Sequence, residues 1–412
     1  MKKKRDILFL CQFFHPEYIS SAQLPYDTVR ALKNAGFSVG VLCGYPREYA
    51  DGGEVPLKED VDGIPIHRLK YIQLDRSGFF GRIINYFSFT FQVFLRLIEI
   101  ARYRSVVVYS NPPILPWIAS WAKKLFGTKL VFVSYDLYPE VATVTNTLRE
   151  GSMICRLMNH INKCVYRRAD RVVALSSEQR EYILRTRQTI KEQVAVIPNW
   201  YRDEGELPRN REGNIFRETV KGKFVVSYFG NMGTMQDMKT ILGAIRLLRE
   251  EEDIFFLFAG HGNKMEKLKR IVAEEQIENI RIHDFLRGQD FTDALAVSDC
   301  ALVSLEKGAT GLCVPSKTYS YMMQGIPLLA IMDESDIVTD IESGTGYWVR
   351  NGESEKLAEK ILAMHGDPEG LHAMSRKCRQ LYLEKYTMEI CTEKYVDLFR
   401  KILPGEYKET KS

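Results

Sequence analysis

Short apolar runs rich in β-branched residues alternate with longer segments of helical periodicity along nearly the whole chain. In the first half, helical patterns occupy residues 22–35, 79–102, 114–126, 152–168 and 177–187. Apolar strands separated by such helices predict a parallel sheet that is covered on both faces. The predicted strands are 7–11, 39–43, 64–69, 106–109, 130–133, 171–175 and 194–197.

The alternation stops at a polar segment, residues 198–222, whose prolines and glycines predict a linker, and then restarts. Predicted strands follow at 224–229, 254–259, 279–283, 300–305, 327–331 and 346–349, with helices near 237–251, 263–275, 290–297, 316–324 and 354–365. The chain is therefore predicted to be an α/β protein with two Rossmann-like domains that face each other across a deep interdomain cleft. We place a first domain at 1–200, a linker at 201–222, a second domain at 223–386 and a C-terminal helix at 387–412, which would pack back on the first domain.

The composition, with 45% hydrophobic and 27% charged residues among 412, is that of a soluble globular protein. The net charge of +4 is small and its basic residues are dispersed, so no nucleic-acid partner is expected. The eight cysteines form no C-x-x-C pair and the seven histidines no H-E-x-x-H motif, so we expect no disulfide framework and no metal site. The N-terminus lacks a signal-peptide pattern.

The most hydrophobic stretch, residues 78–104, is interrupted too often to supply the roughly 18 successive apolar residues of a membrane span. One interpretation of the 79–102 pattern is a buried helix of the first domain, and the other is a helix that rests on an anionic membrane. We predict a cytoplasmic protein and leave open its contact with the inner face of the cell membrane. The interrupting residues are Arg82, Asn85, Arg96 and Glu99, and the other arginines nearby are Arg76, Arg102 and Arg104.

Two glycine motifs follow predicted strands of the second domain. The sequence G-N-M-G at 230–233 leads from a strand into a helix, and its glycines let backbone N–H groups approach an anion. The sequence G-H-G at 260–262 follows the next strand, where glycines permit a tight turn. For both motifs, contact with a donor substrate and ordinary turn chemistry remain open.

The most specific motif begins at Pro315-Ser316-Lys317, which predicts a helix start, and Gly325 predicts the end of that helix. Lys317 would lie in the first turn, where the helix dipole disfavours a cation unless an anion is bound as well. A diphosphate site would remove that conflict. The alternative is a lysine that points into solvent.

The first domain offers polar residues at the ends of two predicted strands. Asp136 follows one strand and would either position a sugar hydroxyl or cap the next segment. The loop at 14–22 follows the opening strand and would face the same cleft. Asp60 and Asp62 have the D-x-D spacing of metal-dependent sugar transferases of another fold, but here they precede Gly63 and predict a solvated turn.

The order and spacing of these motifs resemble the family-4 retaining glycosyltransferases of the GT-B fold. Within that family the chain is similar to enzymes of bacterial exopolysaccharide and O-antigen assembly, such as the colanic-acid and fucosamine transferases. The matching segments are the opening strand and loop, D-L-Y-P-E at 136–140, residues 166–176, V-I-P-N-W at 196–200, both glycine motifs, S-D-C at 298–300 and the P-S-K helix.

The resemblance implies a nucleoside-diphosphate sugar held by the second domain and a glycan or polyprenyl-linked sugar acceptor held by the first. Lys317 and Asp136 would be catalytic, and no metal or other cofactor would be needed, because Lys317 and helix N–H groups would stabilise the leaving diphosphate. Transfer would be a front-face displacement with retention. The donor side would comprise Gly230, Asn231, Gly233, Gln236, Gly260, His261, Gly262, Leu286, Pro315, Ser316, Lys317, Ser320 and Asp336, and the acceptor side His15, Ser20, Ser21 and Tyr135.

The chain departs from the family pattern at several of these positions. Ser320 stands where the family usually has a ribose-binding glutamate, and Asp336 is the candidate to replace it. Asn231 and Gln236 occupy the places of a basic pair, which puts more weight on Lys317. Tyr135 replaces a histidine, and Ser20-Ser21 replaces a pair of glycines.

The sequence is therefore compatible with three functions. An active hexosyl- or hexosaminyltransferase of bacterial surface polysaccharide biosynthesis is the favoured interpretation. A catalytically silent GT-B subunit stays open because of the missing glutamates, and a nucleotide-sugar epimerase is a further alternative. A dehydrogenase is excluded, because C-Q-F-F-H-P follows the first strand in place of G-x-G-x-x-G.

Overall fold

The computed structural model describes residues 4–46, 54–75, 79–209, 212–405 and 407, without the side chain of Phe79. The chain divides into two compact units. The first unit comprises Met1–Asn199, Gly311–Val314 and Met388–Ser412, and the second comprises Trp200–Thr310 and Pro315–Thr387.

The described part of the first unit contains an eight-stranded sheet in the order β3-β4-β2-β1-β5-β6-β7-β8. Every neighbouring pair is parallel except β3 and β4. The strands are β1 (Arg5–Cys11), β2 (Val39–Gly44), β3 (Lys58–Val61), β4 (Ile64–Leu69), β5 (Tyr103–Tyr109), β6 (Lys129–Ser134), β7 (Arg171–Ala174) and β8 (Val194–Val196). The helices up to this point are α1 (Ser20–Asn34), α2 (Phe79–Phe94), α3 (Leu97–Ile100), α4 (Leu115–Phe126), α5 (Glu140–Val144), α6 (Met153–Arg168) and α7 (Ser177–Thr186).

The second unit contains a six-stranded parallel sheet in the order β11-β10-β9-β12-β13-β14. This is the strand order of dinucleotide-binding Rossmann folds, in which the order reverses between the first and fourth strands. Its strands are β9 (Phe224–Asn231), β10 (Ile254–His261), β11 (Ile280–Asp284), β12 (Cys300–Ser304), β13 (Leu328–Ile331) and β14 (Gly346–Val349). The helices are α8 (Met238–Leu247), α9 (Met265–Glu274), α10 (Gly288–Ala296), α11 (Lys317–Met323), α12 (Asp336–Asp340), α13 (Ser354–Gly366) and α14 (Pro368–Lys385).

The last helix, α15 (Met388–Ile402), returns to the first unit and packs against α1. The two sheets are the centres of separate hydrophobic cores, because their strands bury side chains on both faces. Several helices begin at side chains that accept a hydrogen bond from the first turn, which compensates for the unpaired N–H groups of a helix start. These capping residues are Ser152, Ser176, Asp237, Ser335 and Asp367.

The structure differs from the predicted elements in the first unit at two places. Lys58–Val61 is an antiparallel edge strand that the sequence pattern did not predict. Asp60 lies in this strand, is exposed, and accepts the Gly63 N–H at 2.7 Å, so it adjoins the predicted solvated turn. Asp62 and Gly63 form the hairpin turn, with positive φ at both residues, and D-G between two strands is a recognised hairpin pattern. The helix predicted over 79–102 is divided into α2 and α3, because the Arg96 N–H bonds back to Val93 O, three residues earlier.

Residues 201–222, predicted as a linker, are part of the second unit in the structure. Phe216 and Val220 are buried there, and the Asn214 Nδ2 donates to Asp293 O at 3.0 Å. Isolated apolar residues in a polar segment have no periodicity, so the sequence pattern does not reveal that such a segment is packed.

Candidate functional site

Loops that follow β9 and β12 meet at the point where the strand order of the second sheet reverses. In open α/β sheets, ligands bind outside the carboxyl ends of the strands at this switch point. The loop after β9 carries the first glycine motif, and the segment after β12 leads to Lys317 at the start of α11. The first glycine motif and the Pro315-Ser316-Lys317 motif therefore lie beside each other.

Close backbone contact explains the second glycine motif. Gly260 pairs with Gly230 in the register of β10 and β9, and a Cβ at Gly260 would lie 1.9 Å from Gly230 O. A Cβ at Gly262 would lie 2.6 Å from Met232 O. Only glycine fits at both places without displacing the loop after β9.

Hydrogen bonds give the loop after β9 a defined shape. The Met232 N–H donates to His261 O at 2.6 Å, and the Gly233 N–H donates to Gln236 Oε1 at 2.9 Å. Gln236 therefore uses its side chain to fix the loop. The exposed His261 ring stacks on Phe285 with centroids 5.3 Å apart.

Sequence reasoning missed an ion pair that holds the same loop. The Lys264 Nζ lies 2.6 Å from Glu306 Oε1, and it also donates to Gln236 O at 2.6 Å and to Thr234 O at 3.3 Å. Lys264 follows β10 and Glu306 follows β12, so each comes from a strand beside β9. The family's basic residues within the loop are absent here, and a lysine from the next βα connection contacts the loop backbone instead.

Lys317 is the first residue of α11, and its Nζ lies 3.3 Å from the centre of the Tyr228 ring. The Nζ is buried and has no hydrogen-bond partner among the residues that the structure describes. Burial lowers the pKa of the Lys317 amine well below its ordinary value. A Cβ at Gly230 would lie 3.6 Å from Lys317 Cε, so this amine faces the glycine loop. An uncompensated buried cation is costly, and an anion at this place would be strongly favoured.

Two tyrosines hold the strand and the helix together around Lys317. The Phe229 N–H donates to Tyr321 Oη at 2.6 Å, which ties α11 to β9. The Tyr228 hydroxyl donates to Asn231 O at 3.0 Å, which places the ring under Lys317. Neither tyrosine was predicted as a site residue, because buried aromatics in a strand and a helix do not differ in pattern from core residues.

The remaining donor-side candidates lie at the same edge of the second sheet, but with different roles. Pro315 is buried, and Ser316 occupies the N-cap position of α11 without a side-chain cap bond. The buried Ser320 donates its hydroxyl to Lys317 O at 2.9 Å, so it supports α11. Leu286 follows β11, and Asp336 is the first residue of α12, a short helix that the sequence pattern did not predict.

In the first unit, the loop after β1 contains His15, whose ring stacks on Tyr26 with centroids 4.6 Å apart. The buried Arg68 donates to His15 O at 3.0 Å and fixes this loop from β4. Ser20 and Ser21, expected in the loop, are instead the first two residues of α1. The helix therefore begins two residues earlier than the apolar pattern indicates.

Asp136 lies after β6, where its N–H and that of Tyr135 both donate to Ser110 Oγ at 3.0 Å. Burial raises the pKa of the Asp136 carboxyl from 3.8 to about 6. The Leu137 N–H donates to Leu312 O at 2.9 Å, which joins Gly311–Val314 to this region. The Asp136 backbone is therefore fixed by Ser110, and its carboxyl lies in a poorly solvated place that raises its pKa.

Within the described residues, no group of three or more His, Cys, Asp or Glu side chains is placed to hold a metal ion. None of the helices in the described ranges has the length and apolarity needed to cross a bilayer. Arg76, named above with the arginines near the 79–102 pattern, lies outside the described residues.

Two doubly wound units, one of them with glycine loops and a buried lysine amine at its switch point, define a two-domain α/β protein of the Rossmann-like class. Comparison with known families agrees. The model of the glycosyl transferase 4-like domain matches residues 23–200, and that of the glycosyl transferases group 1 matches residues 223–367. The chain belongs to the family-4 glycosyltransferases of the GT-B fold, which confirms the predicted family and fold class.

Individual proteins show the same likeness. The chain is 29% identical over 319 residues to the probable glycosyltransferase WbjE of Pseudomonas aeruginosa. The aligned residues cover 76% of this chain and 79% of WbjE. The structure of WaaG, a glycosyltransferase involved in lipopolysaccharide biosynthesis, matches with a TM-score of 0.70 at 14% identity over 97% of this chain and all of WaaG. The structure of HepE from Anabaena, solved with UDP and glucose, matches with a TM-score of 0.68 at 16% identity over 96% of this chain and 99% of HepE.

Proposed function

We propose that this glycosyltransferase is metal-independent and retaining, and that it moves a hexosyl or hexosaminyl group from a nucleoside-diphosphate sugar to a glycan or lipid-linked sugar acceptor. The Lys317 Nζ carries the proposal, because it is buried against Tyr228 with no described hydrogen-bond partner. A diphosphate would supply the missing counter-charge. The neighbouring glycine loop lets a ligand come close to the backbone.

The donor assignment also has support from outside the chain. HepE, a protein of similar fold, has been solved with UDP and glucose. Gly230, Gly260 and the start of α11 are at the edge of the sheet where nucleotides bind in such folds. The other predicted donor-side residues, Asn231, Gly233, Gln236, His261, Gly262, Leu286, Pro315, Ser316, Ser320 and Asp336, remain part of the proposal.

The proposed reaction exchanges two bonds at one carbon. The bond between the anomeric carbon and the β-phosphate oxygen breaks, and the acceptor oxygen bonds to the same face of that carbon. The acceptor's proton passes to an oxygen of the departing diphosphate. Lys317 would stabilise the negative charge that develops on the leaving group, which is the role that a metal has in other transferases.

The acceptor would be bound by the first unit, where His15, Ser20, Ser21, Tyr135 and Asp136 follow the carboxyl ends of strands or begin the next helix. Asp136 would hold an acceptor or donor hydroxyl as a hydrogen-bond acceptor. Because WaaG acts in lipopolysaccharide biosynthesis and WbjE is a similar bacterial protein, we propose a role in bacterial surface polysaccharide assembly. A lipid-linked acceptor would bring the enzyme to the inner face of the cell membrane.

Donor binding can be tested by thermal shift against a panel of nucleoside diphosphates and their sugars. We expect stabilisation by at least one nucleoside diphosphate, and a loss of affinity of about 100-fold in Lys317→Met, because a charge-assisted contact to phosphate is worth about 2–3 kcal/mol. Lys360→Met is the matched control, since Lys360 lies over the Tyr347 ring in the same unit. Unchanged binding in Lys317→Met would place the diphosphate elsewhere.

The reaction itself is tested with the donor that binds. NMR of the product should show the donor's anomeric configuration, and a chelator should leave the rate unchanged. Inversion would refute the retaining mechanism, and rearrangement of the donor without an acceptor would indicate an epimerase. Donor binding without turnover of any offered acceptor and without slow hydrolysis would indicate a silent subunit.

A further inference from the structure

The outer surface of the first unit carries three neighbouring helices, α2, α4 and α6, which cover one face of its sheet. The sequence predicts one helix over residues 79–102, which is either buried in the first domain or rests on a membrane. The structure shows that α2 is apolar on two sides. Its inner side buries Phe89 and Val93 in the core, and its outer side exposes Phe80, Ile84, Phe87, Phe91 and Phe94.

The exposed residues of α2 follow a spacing of four and three positions in turn, so they form one stripe along the helix. The exposure is large, at 78% for Phe80 and 59% for Phe87. A stripe of five aromatic and aliphatic side chains in solvent is costly, and such surfaces usually meet a partner or a lipid phase.

The two neighbouring helices continue this apolar surface. On α4, Trp117, Trp121 and Leu125 are exposed, and the two tryptophan rings lie 6.2 Å apart. At the start of α6, Met153 is 87% exposed, and Ile154 and Leu157 are exposed beside it. Tryptophan and phenylalanine favour the boundary between lipid headgroups and acyl chains.

The charges on these three helices are all of one sign. Arg82 is on α2, Lys123 and Lys124 are on α4, and α6 carries four basic residues, whereas none of the three helices contains Asp or Glu. Asp170, directly after α6, pairs with Lys123 and Lys129, but the other bases on α4 and α6 have no such partner in the described ion pairs. The basic residues of α6 are Arg156, Lys163, Arg167 and Arg168.

From this combination we infer that the α2–α4–α6 face is a docking surface for an anionic lipid bilayer. The inference rests on the proposed function in one respect: membrane binding would bring the enzyme to a lipid-linked acceptor. Positive charge attracts anionic headgroups, and the apolar stripe enters the acyl boundary. A second copy of this chain fits the surface poorly, because a two-fold contact would bring the like charges of two such faces together.

The mode of contact is peripheral. α2 has 16 residues, fewer than the approximately 20 that a membrane-spanning helix needs. One side of α2 packs in the protein core, so only its other side is available to a membrane. A groove of about 350 Å³, lined by Tyr71, Ile72 and Phe91 together with Lys70, Ser88 and Gln92, adds space for part of a lipid chain.

Vesicle flotation of the full chain tests this surface. We expect the protein to float with phosphatidylcholine vesicles that contain phosphatidylglycerol, and to float less as the ionic strength rises. The variant Phe87→Glu with Phe91→Glu should bind about tenfold less or weaker still, because the apolar stripe is lost. The variant Lys124→Gln, Arg156→Gln and Lys163→Gln should lose about tenfold or more on anionic vesicles only.

Leu247→Glu is the matched control, since it places a charge on an exposed leucine of the second unit. It should float like the unaltered protein. Each variant is also tested for thermal stabilisation by UDP and GDP, so that a fold or donor-site failure is distinguished from a membrane failure.

Three results would overturn the inference. The first is an absence of flotation with anionic vesicles, and the second is equal flotation of the double phenylalanine variant. The third is a concentration-dependent dimer, seen by light scattering, that dissociates in this same variant, which would make a second copy the occupant of the face.

Discussion

The side-chain nitrogen of Lys317 lies 3.3 Å from the centre of the Tyr228 ring. The nitrogen is buried and has no hydrogen-bond partner among the described residues, so the face of this ring is the group that contacts it. The two residues come from α11 and β9, which meet only because the sheet order brings β9 beside β12. The cation–π contact compensates for part of the lost hydration of the lysine. The remainder is an instability that the proposed diphosphate would relieve.

Lys317→Met is accordingly expected to stabilise the ligand-free protein at neutral pH by about 1–3 kcal/mol, since it removes a buried unpaired amine and keeps the side-chain length. Burial lowers the pKa of Lys317 in the folded state, so the unfolded chain binds the proton more tightly. The free energy of unfolding of the unaltered protein should therefore rise as the pH increases towards the ordinary lysine pKa. Lys317→Met should not show this rise.

Urea unfolding at a series of pH values measures both effects. Lys360→Met, which removes a half-buried lysine over the half-buried Tyr347 ring, should show neither. A Lys317→Met protein that is strongly destabilised would contradict the burial of an uncompensated charge.

Asp136 is expected to give the opposite dependence on pH. Burial raises its pKa to about 6 in the folded state, so the folded protein holds the proton more tightly than the unfolded chain. This contribution to stability is present below the unfolded pKa near 3.8 and is lost as the pH rises through about 6. Asp136→Asn should therefore be more stable than the unaltered protein at neutral pH, by at most about 3 kcal/mol, and equal to it in acid.

The difference is measured by unfolding at acid and neutral pH, with the exposed Asp253→Asn as a control. If the carboxylate also holds a sugar hydroxyl, kcat/KM should fall as the pH drops below about 6, and Asp136→Asn should lose roughly 100-fold. If the stability of the unaltered protein and of Asp136→Asn depends on pH in the same way, the Asp136 carboxyl is solvated.

The ion pair between Lys264 and Glu306 is expected to position the glycine loop. Lys264→Gln should weaken nucleoside-diphosphate binding about tenfold, because the loop loses a charge-assisted contact to Gln236 O and Thr234 O. Lys264→Arg should recover part of the affinity, and hydrogen exchange of the loop should increase in Lys264→Gln alone.

Lys269→Gln is the matched control, because Lys269 is on α9 and pairs with the exposed Asp284. If both variants bind the nucleotide equally well, Lys264 has no positioning role.

Gly260→Ala is expected to destabilise the second unit by about 3 kcal/mol or more, because its Cβ would lie 1.9 Å from Gly230 O between two central strands. Gly366→Ala is the contrast, since no atom lies within 4 Å of its Cβ position at the end of α13. There we expect a gain of about 0.4–1 kcal/mol. Denaturant midpoints measure both, and similar values for the two variants would contradict the close approach of β10 to β9.

Most of the architecture could be predicted from the sequence, because strands and helices follow from local patterns of apolar and polar residues. Continuous apolar strands between periodic helices give two doubly wound sheets, and the strand positions agree to within a few residues. The pattern failed where an element is short or polar. The edge strand β3 alternates exposed and half-buried residues, and the five-residue helices α5 and α12 contain too few positions for a period to be visible.

The motifs at 230–233, 260–262 and 315–317 were also visible in the sequence, since glycine and proline restrict the backbone wherever they occur. The partners of those motifs were not. Tyr228 under Lys317, Tyr321 on Phe229 and Glu306 on Lys264 join residues 42 to 92 positions apart, and no local pattern marks such pairs.

By itself, then, the sequence determined the family, the order of strands and helices, and the place of the glycine and lysine motifs along the chain. Tertiary structure alone decided that the Lys317 amine is buried on an aromatic ring, that Asp136 is poorly solvated, and that α2 has both a core side and an exposed apolar side. The physical reason is that burial and charge compensation depend on side chains that folding brings together from distant parts of the chain.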